Sequence, residues 1–226
     1  MSVPRHHHAR GLGLTSAVVR SRLLGELRQS GIHDERVLEV MGRIARHEFV
    51  EEALASEAYK NRSLPIGHAQ TISQPFIVAL MTQAALGRAG TPRPRRVLEV
   101  GTGSGYQTAV LAELCEAVFT VERLRPLTEI ARGRLQRLGY KNIHFGYADG
   151  MHGWMPYAPY DAIVVTAAAA SLPTGLPDQL APGGRLVIPV GPSQAQKLLL
   201  IERTATRFVE TVLTDVIFVP LLAGRA

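Results

Sequence analysis

One stretch constrains this chain more than any other: VLEVGTGSGYQ, residues 97–107. An apolar run that reads as a buried strand enters Gly101-Thr102-Gly103-Ser104-Gly105, and a helix leaves at Tyr106. Glycine lets backbone N–H groups approach a ligand with no Cβ in the way, and the start of a helix adds partial positive charge. The next apolar run, VFTVE, ends at Glu122, 21 residues after Gly101. An acid there can accept hydrogen bonds from ribose hydroxyls. Strand, glycine turn, helix and spaced acid together call for an open α/β sheet with an adenosine-containing ligand at its carboxyl edge.

The spacing of the glycines narrows the ligand. A nicotinamide dinucleotide loop needs G-x-G-x-x-G, whose third glycine permits close helix–strand packing. Counted from Gly101 that position is Tyr106, and counted from Gly103 it is Thr108. The third glycine is Gly105, so the spacing is G-x-G-x-G. Glu99 stands two residues before the first glycine, where a carboxylate would repel a pyrophosphate but suit an ammonium group such as that of S-adenosyl-L-methionine. The alternative is a tight turn in which Glu99 caps backbone amides. Asp149-Gly150 follows a later strand, where an acid can reach an adenine edge, although Asp-Gly is also an ordinary turn signal. The cofactor-binding candidates are therefore Glu99, Gly101, Thr102, Gly103, Ser104, Gly105, Glu122, Asp149 and Gly150.

The rest of the chain fits that frame. Strand candidates are 97–100, 118–122, 143–147, 162–166, 185–190, 198–202 and 211–219, with helices predicted over 106–114, 126–138 and 174–180 and a weak turn at 151–154. Continuous apolar strands alternating with helices mean a parallel sheet covered on both faces. The last two strands are joined by a short turn, which makes that edge antiparallel. The fold class is α/β, a doubly wound Rossmann-like seven-stranded sheet, mostly parallel, preceded by N-terminal helices. Those helices are predicted over 15–30, capped by Ser16 and stopped by Gly31, then over 34–44, 51–59 and 74–86. Residues 60–73 run without periodicity, and long irregular loops of this kind are often functional. The predicted division is a disordered or tag-like 1–14, a helical region over 15–95, and a cofactor-binding domain over 96–226, packed as one unit.

Composition removes other classes. With 46% hydrophobic and 19% charged residues in 226, the chain can bury a core. A single cysteine, Cys115, excludes a disulfide scaffold. No run approaches the roughly 20 apolar residues of a membrane span, and MSVPRHHHAR has no signal-peptide core. The expectation is a cytoplasmic monomer with no membrane partner. The net charge of +6 could suit nucleic acid, but the arginines are dispersed. Arg132, Arg134 and Arg137 read as a solvated helix face, and no nucleic-acid partner is expected. His6, His7 and His8 sit in an aperiodic terminus, and no other cluster has zinc-like spacing, so no metal is expected.

Beyond the glycine loop, YDAI (160–163), LAPGGRLVIPVG (180–191), LPIGHAQTISQPFIVALM (64–81), RHEFV (46–50), AY (58–59) and VIFVPL (216–221) are recognisable. Over roughly residues 20–222 the chain resembles the bacterial protein-L-isoaspartate (D-aspartate) O-methyltransferases, a family of class I S-adenosyl-L-methionine-dependent enzymes. The resemblance implies methyl transfer to the free α-carboxylate of L-isoaspartyl residues in damaged proteins and peptides. It implies an ester that returns through succinimide to aspartyl, and S-adenosyl-L-homocysteine as product. It places Ser73 of TISQP as the active-site residue and Thr71 beside the cofactor. Ile72, Gln74, His68 and Val219 fall on the peptide side, with His68 equally readable as a solvated loop residue. On residue chemistry alone Ser73 reads as the N-cap of the helix that follows, beside N–H groups suited to a carboxylate. Ala69 and Ala148 stand where the family often has glycine, and Glu99 where aspartate is common. No C-terminal contact with cofactor is expected beyond the VPL element. Alternatives in other classes are a small-molecule or RNA methyltransferase, a nicotinamide dehydrogenase and a non-catalytic binding module.

Overall fold

The computed structural model describes residues 16–87 and 90–226. The expectations for residues 1–14, with His6–His8, the helix start at Thr15 and the middle of the 87–95 connector lie outside the described residues. Helix α1 (Ala17–Gln29) ends where Gly31 takes φ +96°, a value that suits a residue without Cβ. Ser16 stands at its N-cap, but its side chain makes no capping bond. Helix α2 (Glu35–Arg43) is capped by Asp34, which accepts from Arg36 N. In place of the third helix there is only a 3-10 turn, Glu52–Glu57. The aperiodic stretch holds a small antiparallel hairpin of β1 (Leu64–Pro65) and β2 (Thr71–Ile72). Helix α3 (Pro75–Leu86) follows, with proline in its first turn.

The sheet is built from β3 (Arg96–Val100), β4 (Ala117–Glu122), β5 (Ile143–Tyr147), β6 (Tyr160–Val165), β7 (Leu180–Val190), β8 (Gln196–Arg203) and β9 (Phe208–Val216). Helix α4 (Tyr106–Leu114) links β3 to β4, and α5 (Arg125–Arg137) links β4 to β5. The order is β5-β4-β3-β6-β7-β8-β9. The first five strands are parallel and the last two antiparallel, as expected. Chain direction across the sheet reverses between β3 and β6, and such a switch point opens a crevice at the carboxyl ends. Alternate residues bury on opposite faces. Val97, Ala162, Val164 and Val187 pack with Ile77 and Met81 of α3 and Leu111 of α4. Leu98, Val100, Ile163, Val165, Leu186 and Ile188 face the other way, onto Ala169 and Leu176.

A second predicted helix is absent. Residues 174–180 form only a 3-10 turn at Pro177–Gln179. Pro177 has no N–H to donate inside the predicted span, and Gly175 costs helix entropy. The buried Gln179 amide makes side-chain bonds there, donating to His152 O (2.9 Å) and Gly175 O (2.8 Å) and accepting from Trp154 N (2.9 Å). Arginines behave similarly. Arg93 donates to Cys115 O (2.6 Å), Arg203 to Leu180 O (2.6 Å) and Arg134 to Ser104 O (2.7 Å). Arg134 is therefore a half-buried brace for the glycine turn rather than part of a solvated face. Among the described residues, no helix is long and apolar enough to cross a membrane.

Candidate active site

The crevice at the β3/β6 switch point is an open cleft of about 910 Å³. One wall is the glycine turn. Gly101, Gly103 and Gly105 have φ of +96°, +52° and +88°. A Cβ on Gly101 would lie 2.3 Å from Thr166 Oγ1, so the strand end and the turn approach too closely for a side chain. Glu122, at the end of β4, lines the cleft and anchors the turn: its Oε2 accepts from Gly103 N (3.0 Å). Its Oε1 accepts from Arg123 N (2.8 Å) and Leu124 N (3.0 Å), leaving Oε2 room for one further donor. Thr102, Ser104 and Gly150 also line the cleft, with Val100, Val121, Leu124 and Leu221 as its apolar surfaces. A glycine cradle, apolar faces and an acid with spare acceptor capacity fit an adenosyl ligand.

Two predicted cofactor acids lie elsewhere. Glu99 is wholly buried and does not line the cleft. Its Oε2 accepts from Thr108 (2.5 Å) and Thr120 (2.6 Å), and Oε1 has no partner. Burial pushes its pKa up to about 8, against the two hydroxyl bonds that pull it down, so it is mainly neutral at pH 7. It reaches the cleft only through hydroxyls, because Thr120 Oγ1 pairs with Thr102 Oγ1 at 2.6 Å. The reason is register: Glu99 is mid-strand and points under the turn, while Gly101 lies beyond the strand end. Asp149 caps the 3-10 turn Gly150–His152, accepting from Met151 N (2.9 Å), and accepts Gly224 N (2.6 Å) with its other oxygen. Burial raises its pKa, but these N–H bonds outweigh that and hold it below the usual range. Its glycine lines the cleft; its carboxylate ties down the C-terminal segment.

The opposite wall is an arch formed by the 60–73 segment. Gln70, Thr71, Ile72 and Ser73 line the cleft, and Ile66 reaches toward Gly103. Behind the arch lies a second cavity of about 1430 Å³, bounded by Ser63, Gln74, Ile77 and the β8–β9 residues Lys197 and Asp215. Thr71, Ser73, Thr166 and Val219 line both cavities. Ser73 thus stands where the two spaces meet. It is not the N-cap of α3. Gln74 occupies that position, without a side-chain capping bond. Pro75 has no N–H, and Phe76 N donates to Asn61 Oδ1 (2.9 Å), so those first-turn amides are not open to a carboxylate. Gln74 lines the second cavity alone, and His68 is exposed at the arch tip, outside both. His68 and Ala69 have φ of +52° and +55°, a backbone that favours glycine, which gives a physical meaning to alanine at position 69.

The C-terminal segment forms a third side. Leu221 N donates to Ala168 O (2.7 Å), Ala168 N to Val219 O (2.8 Å) and Arg125 N to Ala226 O (3.0 Å). Val219, Pro220 and Leu221 of the VPL element, and Leu222 just past it, thereby line the cleft. Thr166, Asn61 and Arg46 escaped sequence reasoning. Thr166 follows an apolar strand and could have been flagged by its place at a carboxyl end. Asn61 and Arg46 carry no local signal, because their partners lie 15 and 27 residues away.

Comparison with known proteins gives a consistent result. The sequence model of the protein-L-isoaspartate (D-aspartate) O-methyltransferase family matches residues 18–226. A protein-L-isoaspartate O-methyltransferase of Pseudomonas paraeruginosa is 54% identical over 211 residues, covering 93% of this chain and 99% of that protein. One from Alcanivorax borkumensis is 50% identical over 214 residues, covering 95% and 96%. Among solved structures, a protein-L-isoaspartate O-methyltransferase superposes with TM-score 0.78 at 29% identity, over 89% of this chain and 65% of that one. A Plasmodium falciparum structure described as a protein-L-isoaspartate O-methyltransferase in complex with S-adenosyl-L-homocysteine superposes with TM-score 0.73 at 27% identity, over 90% and 98%.

Proposed function

The chain belongs to the protein-L-isoaspartate (D-aspartate) O-methyltransferase family, and from that premise we propose that it repairs damaged proteins by methylating the free α-carboxylate of L-isoaspartyl residues. Bound S-adenosyl-L-methionine supplies an electrophilic methyl on a sulfonium and departs as a neutral thioether. The observation that carries the reading is the position of Ser73, at the junction of the glycine-walled cleft and the second cavity. Cofactor belongs in the first, cradled by Gly101, Thr102, Gly103, Ser104 and Gly105, with Glu122 on the ribose and Thr71 at the boundary. Peptide belongs in the second, against Gln74, Ile77 and Val219.

An isoaspartyl α-carboxylate is ionised at neutral pH, so no general base is needed. The junction agrees with that. It is lined by the hydroxyls of Thr71, Ser73 and Thr166 and the Val219 side chain, with no acid or histidine among them. The Ser73 hydroxyl donates to the acceptor carboxylate and aims its second oxygen along the line of displacement. Opposite charges meet and vanish in the reaction, so the Val219 and Ile72 surfaces help by excluding water from a charge-cancelling step. Ile72 is almost wholly buried and acts as a wall rather than a contact reaching outward. The reading includes a cytoplasmic monomer without a nucleic-acid partner.

The test uses paired synthetic peptides, one with L-isoaspartate and one with aspartate at the same site, and labelled S-adenosyl-L-methionine. Base-labile label on the isoaspartyl peptide alone is expected. Label on neither, with cofactor still bound, would move the acceptor to another chemical class.

A further inference from the structure

Among the described residues, the charge on Arg46 has no partner of opposite sign. The side chain is 1% exposed. Its Nε donates to Ala58 O (2.8 Å) and Nη2 to Ser73 O (2.7 Å). Its guanidinium lies over the Tyr106 ring, 4.8 Å from the centroid, and Nη1 is buried with no hydrogen-bond partner. Among the described residues, no carboxylate lies within ion-pair distance of it. Burial lowers its pKa, but arginine starts so high that the charge persists at neutral pH.

A buried, uncompensated cation is costly, and hydrocarbon of similar volume would pack there at less cost. Two carbonyls and one ring face offset part of that cost. The contacts say what the charge is spent on. Ala58 lies two residues before the arch and Ser73 is its last residue, so one planar fork closes the loop that carries Thr71, Ile72 and Ser73. Tyr106 opens α4 and lines the cleft, so the same group bears on both walls. A lysine ammonium carries its donors on one nitrogen and lacks the planar fork that meets these two carbonyls from separate nitrogens.

We propose that Arg46 is a positioning residue for the acceptor: through the Ser73 carbonyl it sets where the Ser73 hydroxyl stands, and its uncompensated charge makes the junction selective for an anionic acceptor. The inference rests on the isoaspartyl reading above. It assigns a role to a residue that lines neither cavity.

The experiment compares the wild-type protein with Arg46→Lys, which keeps charge and loses the fork, and Arg46→Met, which loses both. Two ligands are measured by calorimetry in the presence of S-adenosyl-L-homocysteine: an L-isoaspartyl peptide, and the same peptide with its α-carboxylate replaced by a carboxamide. Wild type should prefer the acid by about tenfold or more, the scale of one hydrogen-bonded charge. Arg46→Met should lose most of that preference. Arg46→Lys should keep it while kcat on the isoaspartyl peptide drops about tenfold and S-adenosyl-L-homocysteine affinity stays within about twofold. A general loss of structure would not remove the acid preference in one variant and leave it intact in the other. An unchanged ratio in Arg46→Met overturns the charge role, and wild-type kcat in Arg46→Lys overturns the positioning role. Should Arg46→Met fail to give a cooperative thermal melt, Arg46→Lys and wild type decide: no acid preference in wild type overturns the proposal. A wild-type protein that methylates no isoaspartyl peptide removes the underlying reading, and this one with it. Methylation with an unchanged Arg46→Met ratio removes only this one.

Discussion

The two walls of the cleft are held in different ways. The glycine wall is continuous with the sheet. Its turn follows β3 directly, its Gly103 amide is held by Glu122 from the neighbouring strand, and its position is set by ladder register. The arch has two strands of two residues each, and its ends are tied by two side chains, Arg46 from outside it and its own Asn61, which holds Phe76 N. A wall built into a ladder is rigid and suits a ligand that must always be held the same way. A wall tied by a few side chains can present a reactive residue while varying in outline. The difference teaches that cofactor affinity should follow the first wall and turnover the second.

The most severe way to break the comparison is Gly101→Ala. The new Cβ meets Thr166 Oγ1 at 2.3 Å with φ at +96°. Overpacking and a left-handed backbone together should cost ~2–5 kcal/mol of stability. Cofactor affinity should fall by about a hundredfold or more, read by calorimetry. Near-wild-type binding would mean that the turn is not the cradle. Next is Ser73→Ala, on the other wall. It should lower kcat by about ten- to a hundredfold, the scale of one hydrogen bond to a charged group, with cofactor affinity almost unchanged. Equal losses in both would erase the division between the walls.

Glu99→Gln sharpens the comparison from beneath the glycine wall. The folded pKa of Glu99 is raised to about 8 from 4.5. Between these values the native state holds a proton that the unfolded state has released, so this residue destabilises the fold progressively as pH rises through that window. The glutamine variant lacks that term. Its melting temperature relative to wild type should therefore climb between about pH 5 and pH 8 and level off above. A flat difference across that range would mean that Glu99 is ionised in the folded protein. The smallest effect is expected at the arch tip. Ala69→Gly relieves a φ of +55° and should stabilise by about 0.5–1 kcal/mol in chemical denaturation, with turnover unchanged.

Much of the sheet was legible because buried parallel strands are apolar runs and their ends carry turn residues. The 143–147 strand and the 106–114 helix match their predicted bounds. The predicted 174–180 helix does not form, since Pro177 lacks an N–H within it and Gly175 weakens helical backbone. Within the site, the glycines and Glu122 were legible from spacing. Glu99 and Asp149 were visible as acids near the right strand ends, but their directions were not. A carboxylate's use depends on which N–H or hydroxyl it meets, and those donors come from β4, α4 and the C-terminal segment.

The amino-acid order therefore dictated the parallel sheet, its antiparallel edge, the glycine turn and the TISQP segment. Each of these depends on neighbours within a few residues, through strand alternation, left-handed glycine backbone or helix-start chemistry. The juxtaposition of Ser73 with both cavities, the brace from Arg46 and the burial of Glu99 came only with the folded chain. The bonds of Arg46 and Glu99 join residues from 9 to 27 positions apart, and the junction at Ser73 draws on Thr166 and Val219 from much farther along the chain, so packing of the whole core selects among the many partners such distances allow.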